Sequence, residues 1–144
     1  MTQIHIQNPA FEQNVRENFA QQGFMGYLGA QLTAVSPGQV IIELPFSTNL
    51  TQQHGFVHAG ATTAVVDSAC GYATLSLMPS NSEVLTVEFK VNLLSPALGV
   101  KLVAIGRVIK PGRTLTVCQG ELFAINEAGE EKLCALMTAT IRCR

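Results

Sequence analysis

From Val84 to Leu94 apolar and polar residues alternate, with Leu85, Val87, Phe89, Val91 and Leu93 on one side and Thr86, Glu88, Lys90 and Asn92 on the other. That period of two predicts a β-strand. Val100 to Lys110 and Thr114 to Ile125 read as a hairpin across Pro111-Gly112, and Lys132 to Cys143 as a last strand after a turn at Asn126 to Glu130. Leu28 to Val35 and Val40 to Phe46 predict an earlier hairpin, joined through Ser36-Pro37-Gly38-Gln39, with Pro and Gly where a tight turn wants them. The stretch from His58 to Met78 breaks this rhythm: it is rich in Ala and small residues, apolar nearly all round, and closed by Pro79-Ser80. Its length predicts a helix over about 58–78 enclosed by protein, although Gly71 in its interior costs about 1 kcal/mol relative to Ala. Phe11, Val15 and Phe19 share one face of a shorter helix over about 9–22, with Asn8 as cap, Pro9 in the first turn and Gly23 at its end.

Strands grouped around one apolar helix describe an α+β fold, a mostly antiparallel sheet of about six strands wrapped round a long central helix. The 144 residues, 47% of them apolar, suffice for one well-buried core and not for two, so residues 1–144 are expected to form a single domain.

Nine basic residues stand against ten acidic ones, without a basic cluster. This balance argues against a nucleic-acid partner and against a polybasic membrane patch, leaving a small molecule or another copy of the chain. Charged residues are only 13% of the chain, well below the usual quarter, which points to surface covered in an oligomer. Cys70, Cys118, Cys134 and Cys143 show no CxxC spacing and fall in apolar or alternating segments, as buried free thiols of a reducing compartment do. No secretory pattern follows Met1-Thr2-Gln3-Ile4-His5 and no apolar run is long enough to span a bilayer, so a cytoplasmic protein is expected. His5 and His54 have no partners at metal-binding spacing, and no metal is expected.

Between Glu43 and Glu83 the one formal charge is Asp67, in the middle of the apolar helix. An ionised carboxylate rarely sits in such a place without a partner or a task. Gly55-Phe56-Val57-His58-Ala59-Gly60-Ala61 leads into the same helix, and unpaired N–H groups at such a terminus suit an oxyanion. Asp67 is nine residues beyond His58, hence roughly 13 Å along the helix axis and about 180° around it. If both ends act on one bond, they come from different copies, in a site shared across a two-fold interface.

Gly55, His58, the small pair Ala59-Gly60, Asp67, and the strand ending in Leu94-Ser95-Pro96 together resemble the hotdog-fold acyl-CoA thioesterases of the phenylacetic-acid-pathway (PaaI-like) branch. The resemblance runs over nearly all the chain from about Gln39. It implies a hotdog fold, with protomers joined sheet to sheet as a homodimer and further as a tetramer. It implies hydrolysis of an acyl-CoA to a carboxylic acid and free coenzyme A, with no cofactor beyond the coenzyme A of the substrate. Asp67 takes the place of the family's nucleophile or general base. His58-Ala59-Gly60 takes the place of its His-Gly-Gly, the backbone N–H groups polarising the carbonyl, and His58 itself reads as a positioning residue. Gln52 matches the loop amide that orients water, with Gln53 as its rival, and Thr86 the hydroxyl near the carboxylate. Ala59 departs from the usual Gly, and its Cβ bears on substrate range. Phe56, Val57, Phe24 and Met25 are candidates for an apolar acyl pocket, and Lys110 and Arg113 for the coenzyme A phosphates. Two other readings share the fold: a non-catalytic acyl-CoA binding protein, and a hydratase or dehydratase.

Overall fold

The computed structural model describes residues 3–144. Six strands, β1 (Gln31–Ser36), β2 (Gln39–Pro45), β3 (Val84–Leu93), β4 (Lys101–Lys110), β5 (Leu115–Ile125) and β6 (Glu131–Cys143), form one sheet in the order β1-β2-β4-β5-β6-β3. Every neighbouring pair is antiparallel. A long helix, here α3 (Ala59–Leu75), lies in the concave face, preceded by α1 (Phe11–Ala20) and α2 (Gly23–Leu28). This is the expected α+β hotdog architecture.

Two glycines let α3 sit close to the sheet. A Cβ at Gly106 of β4 would run into the backbone of Ala69 and Cys70, and one at Gly120 of β5 into the Val66 side chain and Cys70 Sγ. Close approach buries Val65, Val66, Ala69, Cys70 and Ala73 completely, together with Ile42, Leu102, Leu122, Met137 and Ile141 from the sheet. The four cysteines are free and buried.

The helix is not enclosed on all sides, contrary to expectation. Gly60, Thr63, Ala64, Asp67, Ser68 and Gly71, at steps of three and four, remain partly or fully exposed while the residues between them are buried. Such steps trace one stripe along a helix. In the isolated chain this stripe faces past edge strand β3 and has no sheet over it.

Three expected boundaries move. Gly23 begins α2 rather than only ending α1, so Leu28 belongs to a helix whose last turn closes on Gly29 at φ 79° instead of opening a strand. Asn8 holds the chain before α1 by accepting from the Ala10 N–H, but Ala10, not Asn8, occupies the cap position. The central helix stops at Leu75, with Ser76 as its cap, where the sequence reading carried it to 78.

The larger difference lies within β3. Thr86 pairs with Ile141 and Glu88 with the very next partner residue, Thr140, so Val87 is an extra residue in a β-bulge. A bulge shifts the alternation by one and exchanges the faces beyond it. Thr86 therefore faces α3, and so do Phe89, Val91 and Leu93 beyond the bulge. The uninterrupted alternation had placed Thr86 opposite these three.

Candidate active site

Asp67 sits at mid-length of the open stripe on α3. Its Oδ1 accepts a hydrogen bond of 2.7 Å from Thr86 Oγ1, the side chain that the bulge turns inward. Burial pushes the Asp67 carboxyl above the ordinary aspartate range, and the Thr86 hydroxyl offsets part of that rise by stabilising the charged form. Its other oxygen, Oδ2, has no hydrogen-bond partner among the described residues.

The helix start is built by the loop before it. His58 is the N-cap, and its Nδ1 accepts the Gly60 N–H at 2.8 Å, while its carbonyl accepts from Ala61 and Thr62. This arrangement changes the expected donor pair: the Gly60 N–H is already committed. Ala59 is left as the first-turn N–H without an acceptor among the described residues. Through its bond to the Gly60 N–H the His58 side chain caps the first turn of α3. Gln52 shapes the loop, its Oε1 accepting from the His54 N–H and, at 3.4 Å, from the Phe56 N–H. That use of the oxygen leaves the carboxamide Nε2 as a donor.

Gln52, Phe56, Val57 and Ala59 line one cavity of about 410 Å³ with Leu93, Leu94, Pro96 and Ala97. Four predicted residues thus meet at the start of α3. Gln53 is exposed on the loop beside them. Phe24 and Met25 are not there: Met25 is buried in the core and Phe24 is exposed on α2. Lys110 and Arg113 also stand apart from the start of α3, because the Pro111-Gly112 turn packs near the other end of the helix, where Arg113 borders Leu77 and Met78.

Asp67 does not reach the Ala59 N–H of its own chain. Eight residues separate them, roughly 12 Å along a straight helix. Between them lies a shallow apolar depression formed by Gly60, Thr63, Ala64, Phe89, Val91 and Leu93.

Sequence reasoning missed a polar group on the other side of Asp67. Gln22 Nε2 donates to Tyr72 Oη at 2.9 Å, Ser68 Oγ to Gln22 Oε1 at 3.3 Å, and Tyr72 Oη to Asn18 Oδ1 at 3.2 Å. Ser68 and Gly71 lie on the stripe of α3 that carries Asp67. Asn18 and Gln22 arrive from some fifty residues away, and no local pattern announces that contact.

Comparison with known proteins places this geometry in a family. The family model described as "Thioesterase superfamily" matches residues 54–130, more than half of the chain. The chain belongs to the thioesterase superfamily. A crystal structure of a thioesterase family protein from Silicibacter pomeroyi shares 50% identity, covers 92% of this chain and 97% of its own, and superposes with a TM-score of 0.90. The PaaI protein of the E. coli phenylacetic acid degradation operon matches with a TM-score of 0.82 at 18% identity, over 94% of each chain. A thioesterase of Haemophilus influenzae matches with a TM-score of 0.81 at 19% identity, over 99% of this chain and 95% of its own. The last two likenesses are of fold. Among the described residues no helix is long and apolar enough to cross a membrane.

Proposed function

We propose that this member of the thioesterase superfamily hydrolyses an acyl-CoA thioester to a carboxylic acid and free coenzyme A, at a site completed by a second copy of the chain. The observation that carries the reading is Asp67: a half-buried carboxylate on an open helical stripe, held by Thr86 through one oxygen, the other having no partner among the described residues.

In this reading the Ala59 N–H of one protomer polarises the thioester carbonyl, and Gln52 of that protomer orients water or the acyl group. Asp67 of the partner protomer attacks the carbonyl carbon or takes a proton from water as water attacks. Collapse of the tetrahedral intermediate breaks the C–S bond, and the sulfur leaves as a thiolate that takes up a proton to become the coenzyme A thiol; where Asp67 is the nucleophile, the mixed anhydride it then carries is cleaved by water to the carboxylic acid and the free carboxylate. A single unbonded N–H donor, rather than a pair, serves the oxyanion. The Ala59 methyl lies beside that donor and limits the bulk accepted there. His58 keeps the first turn in place. No metal or organic cofactor enters this scheme, and it gives Lys110, Arg113 and Gln53 no part in the chemistry.

A partner protomer is supported by the edge of the sheet. β3 is an edge strand, and Leu85, Val87, Phe89 and Leu93 along it are each about half exposed. A long, apolar, unpaired edge is a surface that proteins ordinarily cover. Pairing β3 with a second β3 would extend the sheet and bring the open stripes of two central helices together.

Release of free thiol from a panel of acyl-CoAs tests the reading, and separates hydrolysis from mere binding. Asp67→Asn is expected to keep the fold and lower turnover by at least about a hundredfold. Near-normal turnover in that variant contradicts the assignment.

A further inference from the structure

Edge strand β3 carries two charges, Glu88 and Lys90, on either side of Phe89. All three lie beyond the bulge, in a regular stretch where they stand opposite Thr140, Thr138 and Ala139 of β6 respectively for Glu88, Lys90 and Phe89. Alternation puts Glu88 and Lys90 on the outer face of the sheet and Phe89 on the face toward α3, where it borders the open stripe. Glu88 Oε1 accepts a hydrogen bond of 2.9 Å from Thr140 Oγ1. Lys90 is exposed and enters none of the ion pairs among the described residues. Charges on an edge oppose indiscriminate pairing, yet opposite charges two residues apart are also complementary to their own reverse.

Symmetry limits how two such edges can meet. Directly opposed residues of an antiparallel pair share a face, and a two-fold axis normal to the sheet keeps every residue on its own face. One residue must therefore lie opposite its own copy. With Glu88 or Lys90 in that place, like charges stand directly opposed, which is destabilising. With Val91 there, Lys90 meets the partner's Asn92, and with Val87 there, Glu88 meets the partner's Thr86. Phe89 alone sets Glu88 opposite the partner's Lys90 and Lys90 opposite the partner's Glu88.

The positions of the site residues along β3 point to the same centre without reference to charge. Thr86, which holds Asp67, is three residues to one side of Phe89. Leu93 is four residues to the other side and lines, with Ala59, both the cavity at the helix start and the shallow depression. Rotation about Phe89 carries the partner's Thr86 opposite Asn92, next to Leu93, within the one residue that the bulge adds. Moving the centre by one residue slides the partner by two, about 7 Å along the strand.

We infer that two copies pair through β3 with Phe89 on the two-fold axis, and that reciprocal Glu88–Lys90 pairs set the register that brings Asp67 of one protomer level with Ala59 of the other. The catalytic consequence rests on the shared-site reading above; the pairing itself does not. Glu88 and Lys90 are positioning residues, on the sheet face away from the helix and its reacting groups.

The test uses the full chain with Glu88→Lys, Lys90→Glu and the two reversals combined. Each single reversal opposes like charges at both pairs and is expected to raise the dimer dissociation constant, measured by sedimentation, about tenfold or more. The combined reversal is expected to restore the parent value. Glu88→Lys and Lys90→Glu, unfolded and refolded together in equal amounts, are expected to form mixed dimers in about nine-tenths of the population, against about half for random assortment, because only the mixed dimer opposes unlike charges. Thiol release from acyl-CoA is expected to fall in each single variant and to return in the combined one. Random assortment in the mixture, a monomeric parent, or a combined reversal that dissociates as readily as the single ones overturns the inferred register. Native mass spectrometry and sedimentation count subunits whatever the chemistry, so failure of the catalytic reading, seen as an active Asp67→Asn, leaves these results standing.

Discussion

Asp67 occupies a position where its charged form is disfavoured, and that has two consequences at the scale of the residue. Reaction requires the ionised carboxylate, so the acid limb of the kcat against pH profile is expected above the ordinary aspartate value of about 3.9. A limb at or below that value contradicts the burial of Asp67. Stability follows the opposite sense from a salt-bridged carboxylate. With its folded pKa raised, Asp67 holds a proton more tightly in the folded chain, and stability falls as pH rises from the unfolded value through the folded one. The Asp67→Asn variant escapes this loss. It is expected to melt above the parent at pH 7, with the difference shrinking as the pH falls through the raised folded pKa and gone below about 4; a variant less stable at pH 7 argues that the Thr86 bond outweighs desolvation. Asp67 itself was legible in the sequence because a lone charge in an apolar helix is a local anomaly. Its partner Thr86 was legible only through the family resemblance, since the alternation along the strand had turned it away from the helix core-ward neighbours Phe89 and Val91.

Among the elements, the bulge at Val87 explains that discrepancy. Pairing in β3 depends on its register with β6, some fifty residues away, and a periodic pattern read within one strand carries no trace of an inserted residue. The short helix α2 was missed for a related reason. Six residues are too few for periodicity, and Gly23 and Gly29 read equally well as loop punctuation. By contrast the three later strands and the central helix were correctly read to within a few residues, because length, alternation and turn residues agree in each.

The first turn of α3 offers a clean test of the proposed donor. Ala59 occupies the first helical position, and His58 before it is extended, at φ −60° and ψ 138°. Both features suit proline, which is tolerated at that position and lacks the N–H. Ala59→Pro is expected to retain the helical circular dichroism of the parent while turnover falls about 10²–10³-fold. Full activity in this variant removes the backbone N–H from the mechanism. The seat of the helix on the sheet makes a separate prediction for stability. Gly106→Ala places a methyl against the backbone of Ala69 and Cys70, with no flexible side chain to yield, and is expected to cost about 1–3 kcal/mol or more in urea unfolding. A neutral substitution contradicts the close approach.

For the molecule as a whole, the open stripe of the central helix lies beside β3, one of the two edge strands of the sheet, the other being β1. The sequence hinted at assembly only through its low charge and through the spacing of His58 and Asp67. The structure sharpens this: the Ala59 N–H and the Asp67 Oδ2, both without a partner among the described residues, are eight residues apart on one helix, roughly 12 Å along its axis and too far to hold the same carbonyl. In the proposed shared site a second copy supplies the other group. Mixing two inactive variants tests this shared site most directly. Asp67→Asn and Ala59→Pro, unfolded and refolded together in equal amounts, form mixed dimers in about half of the population, each with one intact site and one doubly altered site. Thiol release from acyl-CoA is expected to return to about a quarter of the parent activity per protomer, from two preparations that are each inactive alone. If the mixture, verified to contain mixed dimers, stays as inactive as its components, each site lies within one chain and the shared-site account is wrong.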